Sequence, residues 1–158
     1  MNISENSRVW IYQSSRFFTA EEEHIIQQQL NDFIAKWQAH GHQLAAKAEI
    51  RYHLFIILSI DEQQASSTGC SIDKSVHLMK EFEHQLGINL FDRFQIAYRN
   101  AEGNIKLCNQ NQFVKLLNSG VVSNDTIVFN NLVATQKALQ TDWEVPLIRS
   151  WHAQVFSV

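Results

Sequence analysis

Between Ile50 and Ile60 the chain reads IRYHLFIILSI, and Ile50, Tyr52, Leu54, Ile56, Leu58 and Ile60 recur at every second position with Phe55 and Ile57 on the opposite face. A period of two with both faces apolar in the middle predicts a central strand covered on each side. EIRYH contains no turn residue, so no hairpin is expected there, although such a long strand leaves room for a bend near Arg51 to His53. Upstream, Arg8 to Gln13 (RVWIYQ) reads as a short strand bounded by polar residues. Thr19 and Glu22 then form a capping-box pair in front of Ile26, Leu30, Phe33, Ile34 and Trp37, the stripe of a helix packed on a sheet and ended by Gly41. The stretch between Trp37 and Glu49 reads as a helix end followed by irregular or helical chain.

After Asp61 and Glu62 a polar loop leads into a second helix beginning near Ser71, with Ile72, Val76, Met79, Phe82 and Leu86 on one face and Gly87 as its stop. Arg93 to Tyr98 and Asn104 to Cys108 flank a short Gly-containing loop, the signal of an antiparallel hairpin. A short helix carrying Phe113, Leu116 and Leu117 closes at Gly120, a strand follows over Thr126 to Phe129, and Pro146 opens a C-terminal helix with Leu147, Ile148, Trp151 and Phe156. The expected fold is α+β: one domain with a mixed sheet of about five strands, in the order β-α-β-α-β-β-α-β-α. Right-handed crossovers would make the first strands parallel and gather Gln13, Arg16, Asp61, Glu62, Ser71 and Asp73 at one sheet edge.

Composition narrows the classes. The 158 residues are 45% hydrophobic and 18% charged, enough for a real core, and the net charge of -3 with scattered Lys and Arg lacks the basic footprint of a nucleic-acid binder. The polar start MNISENSRVW has no apolar signal core and the longest apolar run is too short for a bilayer, so a cytoplasmic protein without membrane contact is expected. Cys70 and Cys108 are expected to be reduced thiols.

Candidate chemistry centres on Gly69-Cys70-Ser71-Ile72-Asp73. A helix start there could hold a phosphate or carboxylate on its N–H groups, or activate Cys70 as a nucleophile with His40 as base. The plainer account makes Ser71 a cap, Gly69 a turn residue and Cys70 buried filling; since free cysteine is among the most buried residue types, inert filling is the expected outcome. Asp61 and Glu62, with His40, His42 or Asp73, could bind a divalent metal or act as acid and base, but neighbouring strand residues face opposite ways. No zinc site is expected, because His40 and His42 supply two ligands and no Cys-x-x-Cys exists. Arg16 and Arg93 could each offer a guanidinium to an anion at the sheet edge.

Three functions compete at this stage: a small-molecule or anion-binding domain with its pocket near Asp61 and Gly69 to Asp73, a partner-binding or homodimerising module using Trp143 to Phe156, and a Cys70-based or metal-assisted hydrolase. No particular cofactor is indicated.

The segments WIYQSSR, WQAHG, FIILSIDE, GCSIDKSV, LFDR, NNLV and SWH together resemble a family of small uncharacterised bacterial proteins that often carry an ABC-transporter-ATPase label. The resemblance spans nearly the whole chain, supports the choice of site region and implies no catalytic residue. The label itself conflicts with the residues: a P-loop ATPase needs G-x-x-x-x-G-K-[ST] to hold phosphates, and this chain has no such run, nor an LSGGQ signature.

Overall fold

A computed structural model describes residues 3–63 and 65–157. Gln64, in the loop after Glu62, lies outside them. The architecture is α+β, with five α-helices and three antiparallel sheets among the described residues in place of the single mixed sheet expected. The chain forms two compact units: one runs to Phe91 and takes in Ala134–Lys137, the other comprises Asp92–Val133 and the chain from Ala138 onward.

In the first unit β1 (Arg8–Gln13), β4 (Ala45–Arg51) and β5 (Phe55–Asp61) form a sheet in the order β1-β5-β4, with β5 in the centre. Phe55 to Ile60 are all buried, so both faces of β5 are covered as its apolar pattern requires, each large side chain contributing about 1.5–3 kcal/mol. Neither β1 nor β4 is parallel to β5. Arg8 pairs with Ile60 and Gln13 with Phe55, which removes the parallel crossover geometry. The long strand expected from Ile50 is broken at Tyr52 and His53, where the chain reverses and β4 pairs back on β5 from Arg51↔Phe55 to Ala45↔Asp61. The reversal is a β-turn closed by Leu54 N–H donating to the Arg51 carbonyl at 3.2 Å, with φ of 56° at Tyr52 and 58° at His53. Positive φ at both central residues is the mirror-image turn that matches strand twist, ordinarily built from Asn-Gly. Two side chains with Cβ atoms held there cost about 1–2 kcal/mol each, so neither residue is one that signals a turn.

Helix α1 (Ala20–Lys36) starts as expected: Glu22 N–H donates to Thr19 Oγ1 at 3.1 Å and Thr19 N–H to Glu22 Oε1 at 2.9 Å. It ends before Gly41. Trp37 is extended, and β2 (Gln38–Ala39) and β3 (His42–Gln43) form a tiny hairpin whose turn is His40-Gly41, both with positive φ. Helix α2 (Gly69–Leu86) begins two residues earlier than expected, with Thr68 as its cap. It stops at Gly87, whose φ of 65° suits a left-handed cap. Ser71, Ser75, Leu78, Met79 and Phe82 form its buried face.

The second unit holds the hairpin of β6 (Ile96–Arg99) and β7 (Ile105–Cys108), extended by β8 (Ile127–Phe129) and β9 (Glu144–Pro146) into the order β7-β6-β8-β9. Helix α3 (Gln110–Asn118) buries Phe113 among Ile96, Tyr98, Val128 and Leu147. Pro146 ends a strand and does not open a long helix; a 3-10 turn (Leu147–Arg149) and the short α5 (His152–Val155) follow. The remaining helix, α4 (Gln136–Thr141), falls where no element was expected. Among the described residues no helix is long and apolar enough to cross a membrane.

Candidate functional site

The antiparallel pairing of β1 with β5 decides where the expected site residues fall. Arg16 follows Gln13, opposite the start of β5, whereas Asp61 ends β5 beside Arg8. A six-residue separation along a strand is roughly 20 Å, so the expected gathering of Arg16 with Asp61 at one edge does not occur. Arg16 has another task. Its guanidinium donates to both oxygens of Glu22 at 2.7 and 2.8 Å and to the Leu86 carbonyl at 3.0 Å, tying the start of α1 to the end of α2. Arg16 beside it, helped by the Thr19 N–H, holds the Glu22 carboxyl down at about 2. Arg93 is exposed in the other unit, ahead of β6, outside any strand.

Glu62 is engaged in holding the loop into α2. Its Oε2 accepts from Ser67 N–H at 2.6 Å and Ser67 Oγ at 3.0 Å, and its Oε1 lies 3.6 Å from Arg8 Nε. Asp61 Oδ1 accepts from Gln63 N–H at 3.2 Å, an ordinary turn contact. Ser71 is buried: its hydroxyl accepts from Thr68 N–H at 2.8 Å, reciprocating the Thr68 cap, and its carbonyl accepts the Trp37 indole N–H at 2.8 Å. It is therefore unavailable to a ligand. No group of three or more His, Cys, Asp or Glu among the described residues is arranged to hold a metal ion.

What the structure does bring together is one outward face of α2. Cys70, Asp73, Lys74, His77 and Glu81, with Leu78 and with Phe33 of α1, border a groove of about 430 Å³. Their spacing of three and four residues puts them on successive turns of one helix side, a pattern legible from Cys70 onward but overlooked for Lys74, His77 and Glu81. Cys70 is exposed, against the expectation of buried filling, whereas Cys108 is buried and its thiol is pushed up to about 11 by that burial. His40 is exposed on its hairpin and does not line the groove, so no imidazole base for Cys70 comes from there. His77 Nε2 lies 3.2 Å from Glu81 Oε1, one turn on. Lys74 has no carboxylate partner among the described residues.

The first turn of α2 carries no acidic residue, unlike that of α1 with Glu21, Glu22 and Glu23. The positive end of the α2 dipole is thus uncompensated by its own side chains, and the N–H groups of Gly69 and Cys70 precede the first intrahelical bonds. A Cβ built on Gly69 would meet nothing within 4 Å, so the space beside Gly69 on its side-chain direction is open. Chemically, the groove offers an ammonium (Lys74), a thiol (Cys70), an imidazole (His77) and two carboxylates (Asp73 and Glu81) over an apolar floor of Phe33 and Leu78. No protein-family model, no curated protein and no solved structure matches this chain.

Proposed function

We propose that the protein binds a small anionic molecule with an apolar portion in the groove along α2, its charged group held by Lys74 and the Gly69 and Cys70 N–H groups, its apolar part on Phe33. The observation that carries this reading is that Lys74 and Cys70 line one open groove beside a helix whose first turn holds no acidic residue, with Lys74 set against the anion-repelling Asp73 and Glu81 on the same groove. A thermal-shift panel of inorganic phosphate, nucleotides and small carboxylates tests it. A ligand at 100 times its Kd should stabilise the fold by about 2.7 kcal/mol, and Lys74→Ala should remove most of that shift while leaving the unliganded protein folded. The same ligand should slow iodoacetamide labelling of Cys70, with Cys108 unlabelled until unfolding. A flat panel, or a shift indifferent to Lys74→Ala, overturns the reading.

A second reading, docking of a protein partner, is supported by a separate observation. Of the exposed large apolar side chains among the described residues, Phe94, Val114, Val121, Leu132, Ile148 and Val155 all belong to the second unit. Of the aromatic residues expected on such a surface, Trp143 is buried, whereas Trp151 and Phe156 are partly buried, stacked on His152 at 3.9 Å and packed on Phe113 at 4.9 Å between ring centroids. Homodimerisation through this unit should appear as a doubled mass in static light scattering and should fall to the monomer mass in Ile148→Asp. A monomer at every concentration removes the dimer version.

A further inference from the structure

A second groove lies in the first unit, where the first two turns of α1 face the β4–β5 turn. Glu23, His24 and Gln27 line it from the helix, Ile50, Tyr52 and His53 from the strand end and turn, enclosing about 350 Å³. No lysine or arginine borders it, so no ammonium or guanidinium offsets the Glu23 carboxylate. His53 Nδ1 lies 2.7 Å from Glu23 Oε1, and the neutral tautomer that donates Nδ1–H to this carboxylate turns the Nε2 lone pair outward. The Gln27 amide nitrogen donates to Asn31 Oδ1 at 2.9 Å and to the Ala48 carbonyl at 3.3 Å, leaving its oxygen as the free end. The second Glu23 oxygen, the Gln27 oxygen and His53 Nε2 are all acceptors, and the half-exposed ring of Tyr52 adds a π face that attracts cations.

We infer that this groove is a binding site for a small organic amine, whose ammonium N–H groups meet Glu23, Gln27 and His53 and whose positive charge lies against Tyr52. The backbone supports the assignment independently. Tyr52 and His53 occupy left-handed positions that Asn and Gly would fill without strain. The His53 carbonyl accepts from Phe18 N–H at 2.8 Å, a bond any residue could make, so only the side chains distinguish the present pair from Asn-Gly. Strain of this kind points to a role for the side chains held there, and Tyr52 also meets the Phe55 ring edge-on at 6.5 Å between centroids.

The test uses the full chain and titration calorimetry with putrescine and n-butylamine, with acetate and inorganic phosphate as the opposing arm. The amines should bind, the two anions should not compete with them, and Glu23→Gln should weaken amine binding at least tenfold with Tm nearly unchanged. The double variant Tyr52→Asn/His53→Gly should lose amine binding and raise Tm by roughly 2–4 °C or more. Absence of amine binding, competition by the anions, or a lowered Tm in the double variant would each overturn the assignment, the last because it would make Tyr-His the residues the fold itself needs.

Discussion

Lowering the pH from 6.5 to 4 is expected to remove about 3 kcal/mol of stability through the single side chain of His152. The ring is 2% exposed, lies 2.6 Å through Nδ1 from Ser150 Oγ and stacks on Trp151 at 3.9 Å. Burial pushes its pKa from 6.5 down to about 4, because a charged imidazolium there would lose its hydration without gaining a carboxylate. The folded state therefore keeps the ring neutral while the unfolded chain takes up a proton below pH 6.5. The stability contribution is fully present above 6.5 and is lost progressively as pH falls towards 4, where the folded ring begins to protonate as well. Glu22 overlaps this window only at its acid end, between about 4.5 and 4. Its carboxyl, held down at about 2, contributes above its ordinary value of 4.5 and loses that contribution only below it. Urea unfolding at pH 7, 5.5 and 4.5, followed by a probe in the second unit, measures the slope, and His152→Ala should flatten it while lowering stability at pH 7. An equal slope in wild type and His152→Ala would sink the assignment.

The pattern of apolar positions was a good guide to elements and a poor one to their pairing. β1, the capped start of α1, the Gly87 stop of α2, the β6–β7 hairpin and α3 were all legible, because caps, periodicity and glycine turns are local signals. The error with the largest consequence lay at Tyr52-His53. A turn made of two residues that disfavour it leaves no trace in composition, so Ile50 and Arg51 at the end of β4 read as the start of β5 while Ala45 to Glu49 reads as irregular or helical chain, and the antiparallel alternative to the βαβ path was lost with it. From that followed the misplaced sheet edge: Arg16 and Asp61 were brought together only by a parallel geometry the chain does not adopt. The His40-Gly41 turn carried a signal that was set aside, since a Gly-containing pair between short polar-apolar segments is a hairpin cue as well as a helix stop. The helix start was read near Ser71, two residues late, and the outward neighbours Lys74, His77 and Glu81 were not read at all, because spacing of three and four residues was used to find the core and not the outer side.

Trp37 is where the first unit's packing and the α2 groove depend on the same side chain, and Trp37→Ala is expected to destabilise the protein by about 3–5 kcal/mol. The residue caps α1, is 2% exposed, and packs its ring against Phe33 at 4.9 Å, so its removal opens a cavity beneath the residue that floors the groove. Its indole N–H also donates to the Ser71 carbonyl in the first turn of α2. Trp37→Phe separates the two contributions. The Ser71 carbonyl sits in a helix and can keep its i+4 bond to Ser75 when the indole is lost, so no acceptor is orphaned, and the cost should be about 1–2 kcal/mol from the missing hydrogen bond and part of the ring. Trp37→Phe should therefore fold and retain Phe33 in place, while the thermal shift from any ligand of the α2 groove should weaken, because the turn that presents Gly69 and Cys70 is no longer tethered. Urea denaturation at neutral pH measures both variants. A loss under about 1 kcal/mol in Trp37→Ala would mean that the side chain is not the packing link between α1 and α2 that its burial and its two contacts describe.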